Sequence, residues 1–273
     1  VFSALPAGLA GPIESGLRER GVGVFTNASA HRLDDDVPVL IPEINPEHLE
    51  LIHRQRAGGG GFIAANSNCS TSGLVLALKP LQKFGIREVT VTTFQSISGA
   101  GRRGLAAMDI AGNVIPFIRQ EEEKMVRESK RILGELSAGA VEPASFEGRA
   151  TCCRVPVREG HLLSAVVRFE TEVSAAAAME ELAAFRGVPQ EMRLPTAPER
   201  PIIVRTEEDR PQPALDVWAG SPARARGMAV TVGRVRAQAG ALSLIALVHN
   251  TVRGAAGTCV LAAEFAVREG LVA

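Results

Sequence analysis

The residue of this chain best placed to do chemistry is Cys69, in the run Asn66-Ser67-Asn68-Cys69-Ser70-Thr71. It follows the apolar Phe62-Ile63-Ala64-Ala65 and precedes a segment whose apolar positions Leu74, Val75, Leu78 and Leu81 recur at helical spacing. A thiol at a strand-to-helix junction meets the free amides and positive end of the helix, which favour a thiolate and hence a nucleophile at neutral pH. The same amides suit an oxyanion on an attacked carbonyl. The plainer reading is a buried structural cysteine. His161 follows a turn at Arg158-Glu159-Gly160 and stands seven residues after Arg154. A histidine so placed exchanges a proton near pH 7 and partners a thiol, and the arginine suits a carboxylate bound through two parallel hydrogen bonds. Taken alone, each reads more simply as a surface group.

Two further cations fit a phosphate dianion if they converge: Arg32, after Asn27-Ala28-Ser29-Ala30-His31, and Lys124. Glu121 and Lys124 are three apart and share a helix face, which on its own describes a solvated face. The loop Ser98-Gly99-Ala100-Gly101 lets a ligand approach the backbone closely, although a short glycine-rich loop is a weak signal. No Walker-type loop is present.

The elements that must position these groups follow from apolar periodicity. A strand at 1–5, a helix near 12–20 closed by Gly21 and a strand at 22–26 give a β-α-β rhythm and a parallel sheet. A short strand is expected within 34–43, a helix from Asn45-Pro46 through His53, and a strand over 62–65 leading to Cys69. The helix beyond Cys69 is expected from Thr71 to Lys83, capped by Ser70, Thr71 or Ser72. Further along come a strand at 89–94, a flexible loop at 98–101 and an amphipathic helix at 120–136. Strands at 154–157 and 162–170, joined by the Gly160 turn, and a helix at 172–185 follow. Residues 189–213 read as irregular surface or an assembly arm, 228–235 and 242–248 as strands, and 255–268 as a closing helix.

Composition excludes several function classes. The chain has 273 residues, 46% of them hydrophobic, and a formal net charge of zero, so a core shared between two lobes is expected. Neutrality gives no nucleic-acid footprint and no electrostatic membrane surface. The longest apolar run, 237–248, is too short for a bilayer span, is broken by Gln238, Gly240 and Ser243, and reads as a buried strand. The four cysteines lack a CxxC pair and the five histidines lack ligand spacing, so no metal site is expected. Free thiols fit a reducing, cytoplasmic setting. Val1-Phe2-Ser3-Ala4-Leu5-Pro6 reads as the end of a buried strand entering a turn, so the chain is expected to start inside a domain.

Several short runs in one order carry more than any one of them. They are Ser3-Ala4-Leu5-Pro6, Asn27-Ala28-Ser29-Ala30-His31-Arg32, Ser67-Asn68-Cys69-Ser70-Thr71, Gln95-Ser96-Ile97-Ser98-Gly99-Ala100-Gly101, Glu121-Glu122-Glu123-Lys124, Arg154-Val155-Pro156-Val157 with Gly160-His161, Arg210-Pro211-Gln212-Pro213, Gly233-Arg234, and the run from His249 through Asn250 to Gly257. Together the chain resembles, nearly end to end, the compact branch of aspartate-β-semialdehyde dehydrogenases. The fold implied is α/β plus α+β. An incomplete Rossmann-type NADP-binding domain (1–66) precedes a glyceraldehyde-3-phosphate-dehydrogenase-like catalytic and dimerisation domain (67–248), and a C-terminal helix (249–273) returns to the first. The family's glycine-rich turn is missing, because the chain starts roughly 70 residues into the usual sequence, a span comparable to half of a dinucleotide fold.

The resemblance also implies roles. Cys69 is the nucleophile and His161 the acid/base; Arg154 holds the substrate carboxylate, Gln95 helps position the substrate, and Glu121 holds its amino group. Arg32 and Lys124 bind phosphate, while Ser3, Ala4, Leu5, Ser98, Gly99 and Asn250 line the NADP site. The reaction implied is reduction of aspartyl phosphate to aspartate semialdehyde through a thioester, in a homodimer or homotetramer. Two rivals stand beside it. Malonyl-CoA reductase keeps the Cys, Arg and His and has less use for Glu121, and a truncated assembly remnant would do no chemistry.

Overall fold

The computed structural model describes residues 1–101 and 103–272. The chain opens with strand β1 (Phe2–Ser3), helix α1 (Ala7–Glu19) and strand β2 (Gly23–Thr26). Helix α2 (Glu50–Ala57) and strand β3 (Phe62–Ala65) complete a three-stranded parallel sheet in the order β1-β2-β3. β1 pairs Phe2 with Phe25, and β2 pairs Val24 with Ile63. Helix α1 begins earlier than expected and carries Pro12 inside it.

Residues 34–43 do not form the expected strand; Val39 makes one isolated bridge to Ala65. Pro38 and Pro42 remove the amide donors that a ladder needs. Burial is kept nevertheless, with Val37, Val39, Leu40 and Ile41 all in the core. Asn45 replaces ladder bonds by accepting from the Ile41 amide at 2.9 Å and donating to the Val39 carbonyl at 2.9 Å.

Helix α3 (Cys69–Leu78) is buried along its whole length after Cys69, and a 3₁₀ turn (Lys79–Phe84) takes over at Pro80. The expected single helix to Lys83 is thus divided. Strand β4 (Ile86–Gln95) follows, then a 3₁₀ turn (Ile97–Ala100) where a flexible loop was expected, and a short helix α4 (Ala107–Ile110). Helix α5 (Glu121–Ile132) begins with three glutamates and ends with Lys130 and Arg131, as the helix dipole favours. The residues expected to continue it instead form a hairpin of β5 (Glu135–Ser137) and β6 (Ala140–Glu142).

The second half adds β7 (Glu147–Arg154), β8 (His161–Phe169), α6 (Ala175–Ala184), α7 (Val188–Glu191), β9 (Ile202–Val204), α8 (Pro213–Asp216), β10 (Val230–Gln238), β11 (Ala241–Val248) and α9 (Gly257–Arg268). The apolar run 237–248 is a hairpin turning at Ala239-Gly240, not one strand, and part of the expected irregular arm is the edge strand β9.

The large sheet runs β7-β4-β8-β11-β10-β9. The two strands bearing Arg154 and His161 are therefore not a hairpin. β4 lies between them, parallel to β7 and antiparallel to β8. Arg154 ends its strand where the sequence reading began it. One face of this sheet presents Val89, Val91, Leu163, Ala165, Leu244 and Ala246 to α3 and α5, through Leu74, Val75, Leu78, Met125 and Ile132. Each of these valine, leucine, isoleucine and methionine side chains contributes about 1.5–3 kcal/mol on burial. The other face carries Thr90, Thr92, Ser164, Val166 and Ile245 in cross-strand rows and stays half-buried or exposed. A second core joins Phe25, Ile52 and Phe62 of the first sheet to Leu261, Ala262 and Phe265 of α9.

Candidate active site

The loops leaving the carboxyl ends of β1, β2 and β3 meet α3, α5 and the segment after β11 in one cleft of about 520 Å³. That end of a parallel sheet is where open α/β folds bind ligands. Leu5, Arg32, Cys69, Ser98, Gly99, Glu121, Lys124 and Asn250 all line it. Ser3 does not reach it with its side chain, since its hydroxyl is buried and donates to Glu14 at 2.5 Å, and Ala4 is exposed.

Cys69 is the first residue of α3, and the cap is Asn68, not the serines or threonine after the thiol. Asn68 Oδ1 accepts from the Ser70 and Thr71 amides at 2.9 and 3.2 Å. Those two amides are consequently satisfied before any thiolate or oxyanion calls on them. The expectation of a helix-lowered thiol pKa is overturned here. Desolvation first, then the Glu121 carboxylate, push the Cys69 thiol up to about 12, against weaker opposing effects of Arg32, the Ser70 amide and Arg154.

Asn68 is held from two further sides. Its Nδ2 donates to both oxygens of Glu121 at 3.1 and 2.9 Å, and its backbone amide donates to Glu128 Oε2 at 2.6 Å. Glu121 also accepts from Gln95 Nε2 at 3.2 Å. Glu122 points elsewhere and accepts from the Cys152 amide. Glu128 lies seven residues after Glu121 on the buried face of α5, and its other oxygen accepts from Arg32 Nη1 at 3.0 Å. Arg32 Nη2 donates to the Asn27 carbonyl, while its Nε is buried without a partner among the described residues. Lys124 lines the cleft beside it and makes no ion pair among the described residues.

His161 lies fully buried behind the 3₁₀ turn Ile97–Ala100 and does not line the cleft. Its Nδ1 accepts from the Ser96 amide at 3.1 Å and contacts Ser96 Oγ at 3.1 Å. The neutral ring therefore carries its proton on Nε2, which has no partner among the described residues. Desolvation, with the nearby Arg154 charge, holds the imidazole down at about 3, so it stays neutral throughout the physiological range. Arg154 is also buried, and its Nη1 donates to the Ser96 carbonyl at 2.7 Å.

Gly99 separates this pair from the cleft. A Cβ there would stand 2.7 Å from Arg154 Nη1 and 2.9 Å from His161 Nε2, so only glycine allows the turn to lie this close. Asn250 braces the same region. Its Oδ1 accepts from the Gly160 amide at 3.0 Å and its Nδ2 donates to Ser98 Oγ at 2.8 Å.

After Asn250 the chain makes a π-helical turn (Val252–Ala256) that presses on the nucleophile. A Cβ on Gly254 would fall 2.6 Å from Cys69 Cβ and 2.8 Å from its Cα. Gly254→Ala is expected to displace Cys69 and to lower turnover by about 100-fold, since a shift of order 1 Å at a reacting atom costs that much. Steady-state kcat, with iodoacetamide labelling of Cys69 as a second readout, checks it.

Asn68, Ser96, Glu128 and Gly254 were not singled out by sequence reasoning. Glu128 was the most accessible of them, because Glu121, Lys124 and Glu128 at i, i+3 and i+7 share one helix face. The others act through contacts between residues far apart in the chain.

The chain matches the family model described as the semialdehyde dehydrogenase dimerisation domain over residues 78–253, and the corresponding NAD binding domain over 1–52. It is 47% identical to the aspartate-semialdehyde dehydrogenase of Archaeoglobus fulgidus, covering 100% of this chain and 78% of that protein. It is 42% identical to the NADP malonyl-CoA reductase of Metallosphaera sedula, covering 100% and 77%. The aspartate semialdehyde dehydrogenase of Candida albicans, solved with NADP, superposes with a TM-score of 0.89 at 37% identity, covering 100% and 78%. A cysteine at a helix start, facing a cleft at the carboxyl edge of a parallel sheet, is thus found in a sequence and a fold of one kind, and the chain belongs to the aspartate-semialdehyde dehydrogenase family.

Proposed function

We propose that this chain catalyses the NADP-dependent reduction of L-aspartyl 4-phosphate to L-aspartate-4-semialdehyde, a step of amino-acid biosynthesis. The observation that carries it is the carboxylate of Glu121, fixed by Asn68 and Gln95 on the wall of the cleft that also holds Cys69, Arg32 and Lys124. A fixed anion suits the substrate's ammonium group, the two cations suit its phosphate, and Arg154 suits its α-carboxylate.

The cleft lies at the carboxyl ends of all three parallel strands, and Leu5, Ser98, Gly99 and Asn250 on its wall fit a nicotinamide. When bound, NADPH supplies the hydride that takes the acyl group to the aldehyde level. Cys69 Sγ attacks the acyl carbon, the bond to the phosphate oxygen breaks, and phosphate departs toward Arg32 and Lys124 carrying the thiol's proton. Hydride addition leaves an oxyanion to which His161 Nε2–H donates a hydrogen bond; the oxyanion collapses to the aldehyde, and the Cys69 thiolate that leaves takes its proton from water. Residues 1–66 with 249–273 form the nucleotide-binding part in this reading, and 67–248 the catalytic part. The core joining α9 to the first sheet supports that division, although Val39, Ile41 and Ile44 pack into the core of the large sheet. The uncovered face of the large sheet, with Val166 39% exposed, supports a homodimer or a tetramer of dimers. No helix among the described residues is long and apolar enough to cross a membrane, in keeping with a cytoplasmic enzyme.

The relative named as a malonyl-CoA reductase makes substrate choice the decisive test. NADPH oxidation is expected with aspartyl phosphate, and Glu121→Gln is expected to raise its KM about tenfold or more by leaving the ammonium unpaired. Turnover confined to malonyl-CoA overturns the proposal.

A further inference from the structure

We propose that Glu121 gates the nucleophile: its carboxylate, on the cleft wall beside the buried thiol, adds to burial in disfavouring the thiolate until a cationic group entering the cleft pairs with it. This rests on the reading that the substrate carries an ammonium group, and it adds a specificity function to Glu121 beyond binding that group.

The geometry leaves Cys69 with little to stabilise an anion in the resting cleft. The Ser70 and Thr71 amides are taken by Asn68 Oδ1, Arg32 is closed onto Glu128, and Arg154 donates to the Ser96 carbonyl. His161 is neutral, with Nδ1 accepting from the Ser96 amide. Against this stands the Glu121 carboxylate. Two hydrogen bonds fasten it to the side chain of Asn68, immediately before Cys69, and a third comes from Gln95. It cannot swing away without losing these three hydrogen bonds. Lys124 is the remaining cation on the cleft wall and shares the helix of Glu121.

An ammonium group placed on Glu121 cancels the negative charge that shares the cleft wall with the thiol. Substrates with that cation therefore arm their own nucleophile, and acyl compounds lacking it meet a thiol that remains protonated. The same balance protects Cys69 from adventitious electrophiles and oxidants while the cleft is empty. The upward direction of the thiol's shift, caused first by burial and next by the Glu121 charge, agrees with this geometry.

The test is alkylation of Cys69 by iodoacetamide at pH 7.5, followed by mass spectrometry of the Cys69 peptide. Glu121→Gln is expected to be alkylated about tenfold faster than the parent chain, the change in thiolate fraction for one unit of thiol pKa, even though its turnover falls. A rate equal to or below the parent's overturns the gate. A second arm needs no variant. Glycine carries an ammonium and a carboxylate without a side chain to cover Cys69, and acetate carries the carboxylate alone. Alkylation of the parent chain is expected to be faster with glycine than with acetate, and equal or slower labelling with glycine overturns the proposal. Failure of this idea is distinct from failure of the functional reading. A chain that reduces aspartyl phosphate while Glu121→Gln labels no faster keeps the activity and loses the gate.

Discussion

Cys69→Ser is expected to lower kcat for aspartyl phosphate reduction by about 10⁴-fold or more, equivalent to roughly 5.5 kcal/mol of transition-state stabilisation. The hydroxyl keeps the size of the thiol and the capped start of α3, so the fold should survive, with a thermal midpoint shifted by only a few degrees. Serine is a weak nucleophile without a base, and no base is provided. His161 carries its proton on the nitrogen that is free, because Ser96 occupies the other with a backbone donor. The two measurements are steady-state turnover and calorimetric melting of the same preparations. Residual activity within tenfold of the parent would remove Cys69 from the reaction.

The largest effect on stability is expected from the ion pair of Arg253 and Glu43, both fully buried. Arg253 Nη2 and Nη1 donate to the two Glu43 oxygens at 2.5 and 3.2 Å, and its Nε donates to the Met228 carbonyl at 2.8 Å. Removing one partner strands the other charge in the core, so Arg253→Leu is expected to cost about 3–5 kcal/mol in urea unfolding. The double change Glu43→Leu with Arg253→Leu should be less destabilised than the single one, because no uncompensated charge remains. The pair ties the π-helical turn over Cys69 to the segment after β2, so the single variant should also lose activity out of proportion to its stability at 25 °C.

Much of the site was legible because short-range chemistry marked it. Cys69 at a strand-to-helix junction, Arg32 after a strand, and Glu121 with Lys124 on one helix face all end on the cleft wall. What was not legible depended on pairings between distant residues. The turn before His161 looked like a hairpin because Arg154 and His161 are seven residues apart, yet β4 enters between their strands. The same blindness reversed the sign of the thiol's shift. A helix start predicts a stabilised thiolate, but the cap already occupies its amides, and burial with the Glu121 charge then decides. The segment 34–43 shows a third limit: its apolar pattern gave burial correctly, whereas its prolines decided against a strand.

The position of Asn250 and Gly254 has a consequence for how the enzyme comes into being. Asn250 fixes the Gly160 turn across a sequence separation of 90 residues and reaches Ser98 across 152. The backbone carbonyl of Ala255 accepts from Asn66, just before the nucleophile, across 189. Closing loops of that size is the slow part of folding a domain rich in non-local contacts. A ribosome that has released α3 and β8 has made the thiol and its acid, but not a working pair. The nascent chain therefore acquires its chemistry only when the segment from Asn250 to Ala255 docks.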